Sequence, residues 1–132
     1  MDKSKYTSYE DCIKFHGHLC GGITMGYILS VFAMQQLEAL PNENLFCRVE
    51  FHSCMTDAVQ CVTGCTIGKK NLEIKPADTK AMYLVRRATG EGVKVKMNFK
   101  APEGMTKQEM PQYLMTLNPA DICTVKKVKL EI

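Results

Sequence analysis

Between Leu19 and Met34 runs a mostly apolar stretch of 16 residues, and it constrains the fold more than any other part of the chain. A membrane-spanning helix needs about 20 predominantly apolar residues. This stretch is shorter and is interrupted by Gly21, Gly22, Thr24, Gly26 and Ser30. It therefore reads as a buried helix and not as a membrane span. The helix is expected over roughly 22–40, with Met25, Ile28, Leu29, Phe32 and Leu37 at helical spacing. Ile23, Val31, Ala33 and Met34 widen its apolar face, which puts its first half in the core. Gln35, Gln36 and Glu38 turn its end toward water, and Pro41-Asn42 is expected to stop it.

Shorter elements fit around this long central helix. Residues 7–15 suit a first helix, with Thr7 or Ser8 as N-cap and Glu10 and Asp11 in the first turn. Leu45 to His52 reads as a strand, and 54–63 as a helix ended by Gly64. Lys80–Ala88 and Val93–Phe99 predict a hairpin turning at Thr89-Gly90-Glu91-Gly92. Thr106, with Glu109 as its capping partner, suggests a helix to about 117, which Pro111 would break or delay. A helical turn at Pro119–Cys123 and a final strand at Thr124–Ile132 complete the pattern. The expected fold class is α+β, with an antiparallel or mixed sheet packed against helices. At 132 residues, with no repeat and no linker, residues 1–132 are expected to form one domain.

Apolar residues make up 45% of the chain and charged residues 23%, which excludes a disordered chain. A net charge of +3 gives no ground for a nucleic-acid partner, and Lys126, Lys127 and Lys129 read as the solvated face of a strand. Seven cysteines are many for this length. Their odd number, and a polar Met1–Tyr9 stretch with no export segment, argue against a secreted disulfide scaffold. The expected compartment is the reducing cytoplasm, where the thiols are free for metal or redox chemistry.

Two groups of residues carry chemistry. The first is Cys12, His16, His18 and Cys20, in a glycine-rich segment ahead of the long helix. Imidazole nitrogen and thiolate sulfur suit zinc and other borderline metals. Cys20 sits just before a helix N-terminus, which favours its thiolate. Cys12 alone reads more simply as a small core residue. The second group is Cys54, Asp57, Cys61 and Cys65, expected along one inward stripe with Ala58 and Val62. A carboxylate there needs a metal, a His or a backbone donor as partner. Cys61 suits packing. Ligands drawn from both groups would form a mixed His/Cys site, and three of them would leave a position open. No C-x-x-C pair is present, so a zinc ribbon is not expected. Gly64-Cys65-Thr66-Ile67-Gly68-Lys69 is one residue too short for a phosphate loop and lacks its Ser or Thr, since Lys70 follows. Nucleotide hydrolysis is rejected. A turn with a solvated Lys69, or an anion contact by Lys69, stay open.

The run Phe15-His16-Gly17-His18-Leu19-Cys20-Gly21-Gly22 ahead of the long helix resembles the FmdE family of formylmethanofuran dehydrogenase proteins. Cys54-Met55-Thr56-Asp57-Ala58-Val59-Gln60 and Thr63–Leu72 extend the resemblance, which weakens through Lys80–Met97. Gly21 stands where the family usually has Pro, and the tail holds only Cys123, without the C-terminal zinc finger of some relatives. The resemblance implies an α+β core domain, a homodimer, and a metal site using His18, Cys20, Cys54, Cys65, Asp57 and His16. Zinc is the expected metal, with iron, nickel or an iron–sulfur cluster as alternatives. It also implies association with a molybdenum or tungsten redox enzyme of methanogenesis, as an accessory or cofactor-handling protein. Two other readings stay open. One is an enzyme in its own right, with Cys20 as thiolate nucleophile and His16 or His18 as base. The other is an interaction module whose cysteines only pack.

Overall fold

A computed structural model describes residues 6–132; the first five residues of the polar N-terminal stretch lie outside the described residues. Helix α1 spans Tyr9–His16. Ser8 caps it, its side chain accepting from the Asp11 backbone N–H at 3.1 Å. Gly17 closes it in the left-handed conformation at φ +100°. Helix α2 spans Gly21–Leu37, and twelve of its residues are buried, as the apolar run demands. It stops before Pro41-Asn42. Glu38 turns left-handed at φ 56°, and the Ala39 N–H closes the end on the Met34 carbonyl at 2.9 Å.

Strand β1 (Leu45–Val49) leads into α3 (Cys54–Thr63), and α3 returns to β2 (Leu72–Ile74). The expected strand to His52 ends early, because the chain bends at Glu50 while Phe51 stays buried. Then come β3 (Ala81–Arg86), β4 (Glu91–Met97), α4 (Met110–Thr116), α5 (Pro119–Ile122) and β5 (Cys123–Lys129). Pro111 delays α4, and Thr106 and Glu109 bond to each other in the turn before it.

The five strands form one mixed sheet in the order β2-β1-β3-β4-β5. Only the β1–β2 pair is parallel, and α3 is its crossover. One sheet face carries Leu45, Cys47, Val49, Met82, Leu84, Val93, Val95 and Met97, and it forms the core against α2. The other face carries Arg48, Tyr83 and Lys94, with Arg48 and Lys94 lying over the Tyr83 ring. Val125 and Val128 in β5 are three residues apart, so they point to opposite faces. Only Cys123 of that strand is buried. Lys126, Lys127 and Lys129 keep this edge solvated, which blocks pairing with another chain.

The sheet leaves α2 and α3 free to pack closely. A Cβ at Gly26 would lie 2.6 Å from the Met55 carbonyl oxygen and 2.9 Å from the Ala58 Cβ. Any larger residue there would drive the two helices apart. Their two N-termini are thereby held side by side, and α1 packs across both.

Candidate metal centre

Three helix ends meet at one point. His16 is the last residue of α1, Cys20 caps α2, and Cys54 opens α3. His18 lies on the short connection between α1 and α2. The ligand atoms of His16, His18, Cys20 and Cys54 all fall within 4.8 Å of one another. A Cβ at Gly22 would sit 2.7 Å from the Cys54 Cβ, so a bare backbone is what lets α2 reach Cys54.

Each ligand has a local cause. The Cys20 sulfur accepts the Ile23 backbone N–H at 3.4 Å, where Ser or Asp commonly caps a helix. The free N–H groups and dipole of α2 favour a thiolate there. Cys54 follows the N-cap Ser53, whose capping box with Thr56 sets the start of α3. Burial, and then the neighbouring Cys20, hold the Cys54 thiol above its ordinary range. A cation between the two sulfurs would reverse that penalty.

Asp57 stands one turn further along α3 and accepts from His16. Its Oδ2 lies 2.8 Å from His16 Nδ1. A carboxylate at Nδ1 sets the proton on that nitrogen and leaves the Nε2 lone pair free. Nε2 faces Cys20 Sγ at 3.8 Å. The edge of a tetrahedral zinc site with nitrogen and sulfur ligands is about 3.4–3.8 Å. The pair therefore has the spacing a metal needs, and the carboxylate–imidazole contact is the arrangement that orients metal-binding histidines. His16 and His18 also lie ring against ring, with centroids 4.4 Å apart.

The structure brings together four of the six residues singled out as metal ligands. Asp57 reaches the site through His16. Cys65 is not brought there: it lies beyond Gly64, at the far end of α3, fully buried beside Cys47. The chain has left the helix by then, so a spacing of eleven from Cys54 no longer keeps Cys65 on the stripe. Cys61 meets Cys12 between α3 and α1, where burial pushes the Cys12 thiol up to about 12. Lys69 follows the far end of α3, and its backbone N–H bonds Thr66 Oγ1 at 3.1 Å. A ten-residue helix is about 15 Å long, so Lys69 is remote from the centre. The role of Asp57 was missed in the sequence, although its place in the first turn of α3, three residues after Cys54, was the available signal.

The rim is apolar. Phe15 is 59% exposed and Leu19 is 54% exposed, on either side of the two histidines. A cleft of about 430 Å³ opens beside Cys20, between the start of α2 and the segment that leads into α4.

Comparison with known proteins agrees with this picture. The family described as "FmdE, Molybdenum formylmethanofuran dehydrogenase operon" matches residues 15–126. The crystal structure of an FmdE-like protein of tungsten formylmethanofuran dehydrogenase, from Syntrophus aciditrophicus, is similar, with a TM-score of 0.69 and 27% identity. That match covers 94% of this chain and 73% of the other. A protein of Archaeoglobus fulgidus named "Probable S-adenosyl-L-methionine-binding protein" is 37% identical over 91 residues. Those residues are 64% of this chain and 25% of that protein, so the chain spans about a quarter of this relative's length. With the family match running from Phe15 through Lys126, across the histidines, both site cysteines and four of the five helices that surround the sheet, the chain belongs to the FmdE family.

Proposed function

We propose that this protein binds one transition metal, zinc first among the candidates, through His16, His18, Cys20 and Cys54, with Asp57 orienting His16. The observation that carries this reading is the Asp57–His16–Cys20 line, 2.8 Å and then 3.8 Å, ending on an imidazole nitrogen with no proton. Two neutral imidazoles and two thiolates are a common zinc donor set. A bound metal would cross-link the ends of α1, α2 and α3 and contribute to folding directly. In this reading the protein is a cytoplasmic homodimer that serves a molybdenum or tungsten formylmethanofuran dehydrogenase, or a similar one-carbon redox enzyme, as an accessory that handles metal or cofactor. All seven cysteines are free thiols, which supports a reducing compartment. Among the described residues no helix is long and apolar enough to cross a membrane.

The test is metal content by mass spectrometry, on protein purified without oxygen, chelator or affinity tag. Near-stoichiometric metal in wild type, lost in Cys20→Ala, supports the reading. No metal in wild type after reconstitution refutes it.

A second reading draws on the same line of residues. Cys20 at a helix N-terminus, His16 within 3.8 Å and Asp57 behind it have the order of a nucleophile, its base and an orienting acid. The neighbouring Cys54 and His18 favour a metal instead, because a nucleophile needs neither. The alkylation rate of Cys20 in metal-free protein separates the two. A rate that rises with pH toward neutrality and falls in His16→Ala supports the nucleophile.

A further inference from the structure

The four ligands are not held alike. His16 is fixed by the Asp57 carboxylate at 2.8 Å, Cys20 by its place as the cap of α2, and Cys54 by the capped start of α3. His18 is exposed and sits on a connection next to Gly17, whose φ is +100°. Among the described residues no hydrogen bond holds the His18 ring, which only stacks against His16 at 4.4 Å. The cleft beside Cys20 supplies a place for another molecule. Its walls are Leu19, Met25 and Met110, with the polar ends of Lys107 and Gln108 at its mouth and Cys20 at its side. Methionine walls adapt to aliphatic or thioether groups, and a single cation at the mouth suits an anion.

We propose that His18 is an exchangeable ligand, and that the cleft delivers its replacement: a small molecule with a soft donor atom, an apolar body and an anionic group that meets Lys107. This deepens the metal-binding reading above and rests on it. It turns a closed four-ligand site into three fixed ligands and one position for substrate or cofactor, the pattern that separates working sites from structural ones. In the exchange a thiol on the incoming molecule gives its proton to buffer. Its sulfur takes the place of the His18 nitrogen, which leaves as neutral imidazole, and no oxidant or reductant is needed.

The probe is 3-mercaptopropionate, which joins a thiol to a carboxylate through a short aliphatic chain. It is titrated into cobalt(II)-loaded protein while the visible spectrum and the retained cobalt are followed. The expected result is a saturable new sulfur-to-cobalt band with cobalt still bound. In His18→Ala the probe should bind about tenfold more tightly, because no protein ligand competes. In Lys107→Glu it should bind about fivefold more weakly, with cobalt still stoichiometric. An unchanged spectrum at high probe, in protein that holds cobalt, overturns the exchange. So does removal of cobalt by the probe, and equal affinity in Lys107→Glu overturns the cleft as the route. Wild type that takes up no cobalt overturns the metal centre itself, and the exchange with it.

Discussion

Replacing Asp57 with Ala removes the group that decides which nitrogen of His16 carries its proton. The contact is short, 2.8 Å, and the His16 side chain is only 11% exposed, so no solvent group can stand in fully. Without the carboxylate the ring can turn, and a neutral imidazole can put its proton on Nε2, where the metal would bind. Loss of such a partner costs about 10- to 100-fold in metal affinity, or about 1.4–2.7 kcal/mol. The effect on the metal-free fold should be much smaller. Asp57 is 38% exposed, and an ion pair so open to solvent contributes at most about 1 kcal/mol. The melting temperature of the metal-free variant should then fall by no more than about 5 °C. Asp57→Asn keeps an acceptor for Nδ1–H but loses the charge, so its affinity should lie between wild type and Asp57→Ala. The assay is competition for zinc against a chromophoric chelator, beside melting curves of the metal-free proteins. A zinc affinity in Asp57→Ala within about twofold of wild type would refute the argument that this contact prepares His16 for a metal.

Other consequences can be checked independently. Gly26→Ala should cost about 2–3 kcal/mol in chemical denaturation, because the new methyl meets α3 backbone 2.6 Å away, and it should also weaken zinc binding by moving Cys54. Cys12 and Cys123 are both pushed up to about 12 by burial, so in native protein at pH 8 only about one part in ten thousand of each is thiolate. Mass spectrometry after timed alkylation should find both unmodified while Cys20 reacts, and zinc should protect Cys20. Glu43 accepts from the Leu40 backbone N–H and from Arg86, and these contacts hold its carboxyl below the usual range. Its stabilisation is complete above the unfolded-state pKa and is lost as pH falls through the lowered folded value. Glu43→Gln should therefore flatten the acid side of the stability curve, and an unchanged curve would argue against that pair.

How much was legible depended on whether a residue's neighbours are local in sequence. The extent of α3 could be read to the residue, because Ser53 caps it and Gly64 ends it within one short segment. The apolar run of α2 announced its own burial. Its end was misjudged because Glu38 adopts a left-handed turn for which no Gly or Asn signals. β2 gave no signal, since three residues such as Leu72-Glu73-Ile74 form a strand only when β1 is there to pair with them. That pair is also what makes the sheet mixed. At the centre, the residue types and the α2 cap were readable, because both follow from chemistry next to Cys20. The contact between Asp57 and His16 spans 41 positions and appears only once α1 has crossed α3. Cys65 shows the reverse error. Helical spacing projects it onto the stripe of Cys54, but Gly64 has already turned the chain into the core.

The claim that matters most is that two histidines and two cysteines hold one metal. X-ray absorption on zinc-loaded protein tests it directly, because sulfur and nitrogen neighbours separate by distance. The prediction is two nitrogens at about 2.0–2.1 Å and two sulfurs at about 2.3 Å around each zinc, with one sulfur lost in Cys54→Ser. A shell of oxygen and nitrogen alone, or a sulfur count unchanged in Cys54→Ser, would contradict the ligand set of His16, His18, Cys20 and Cys54.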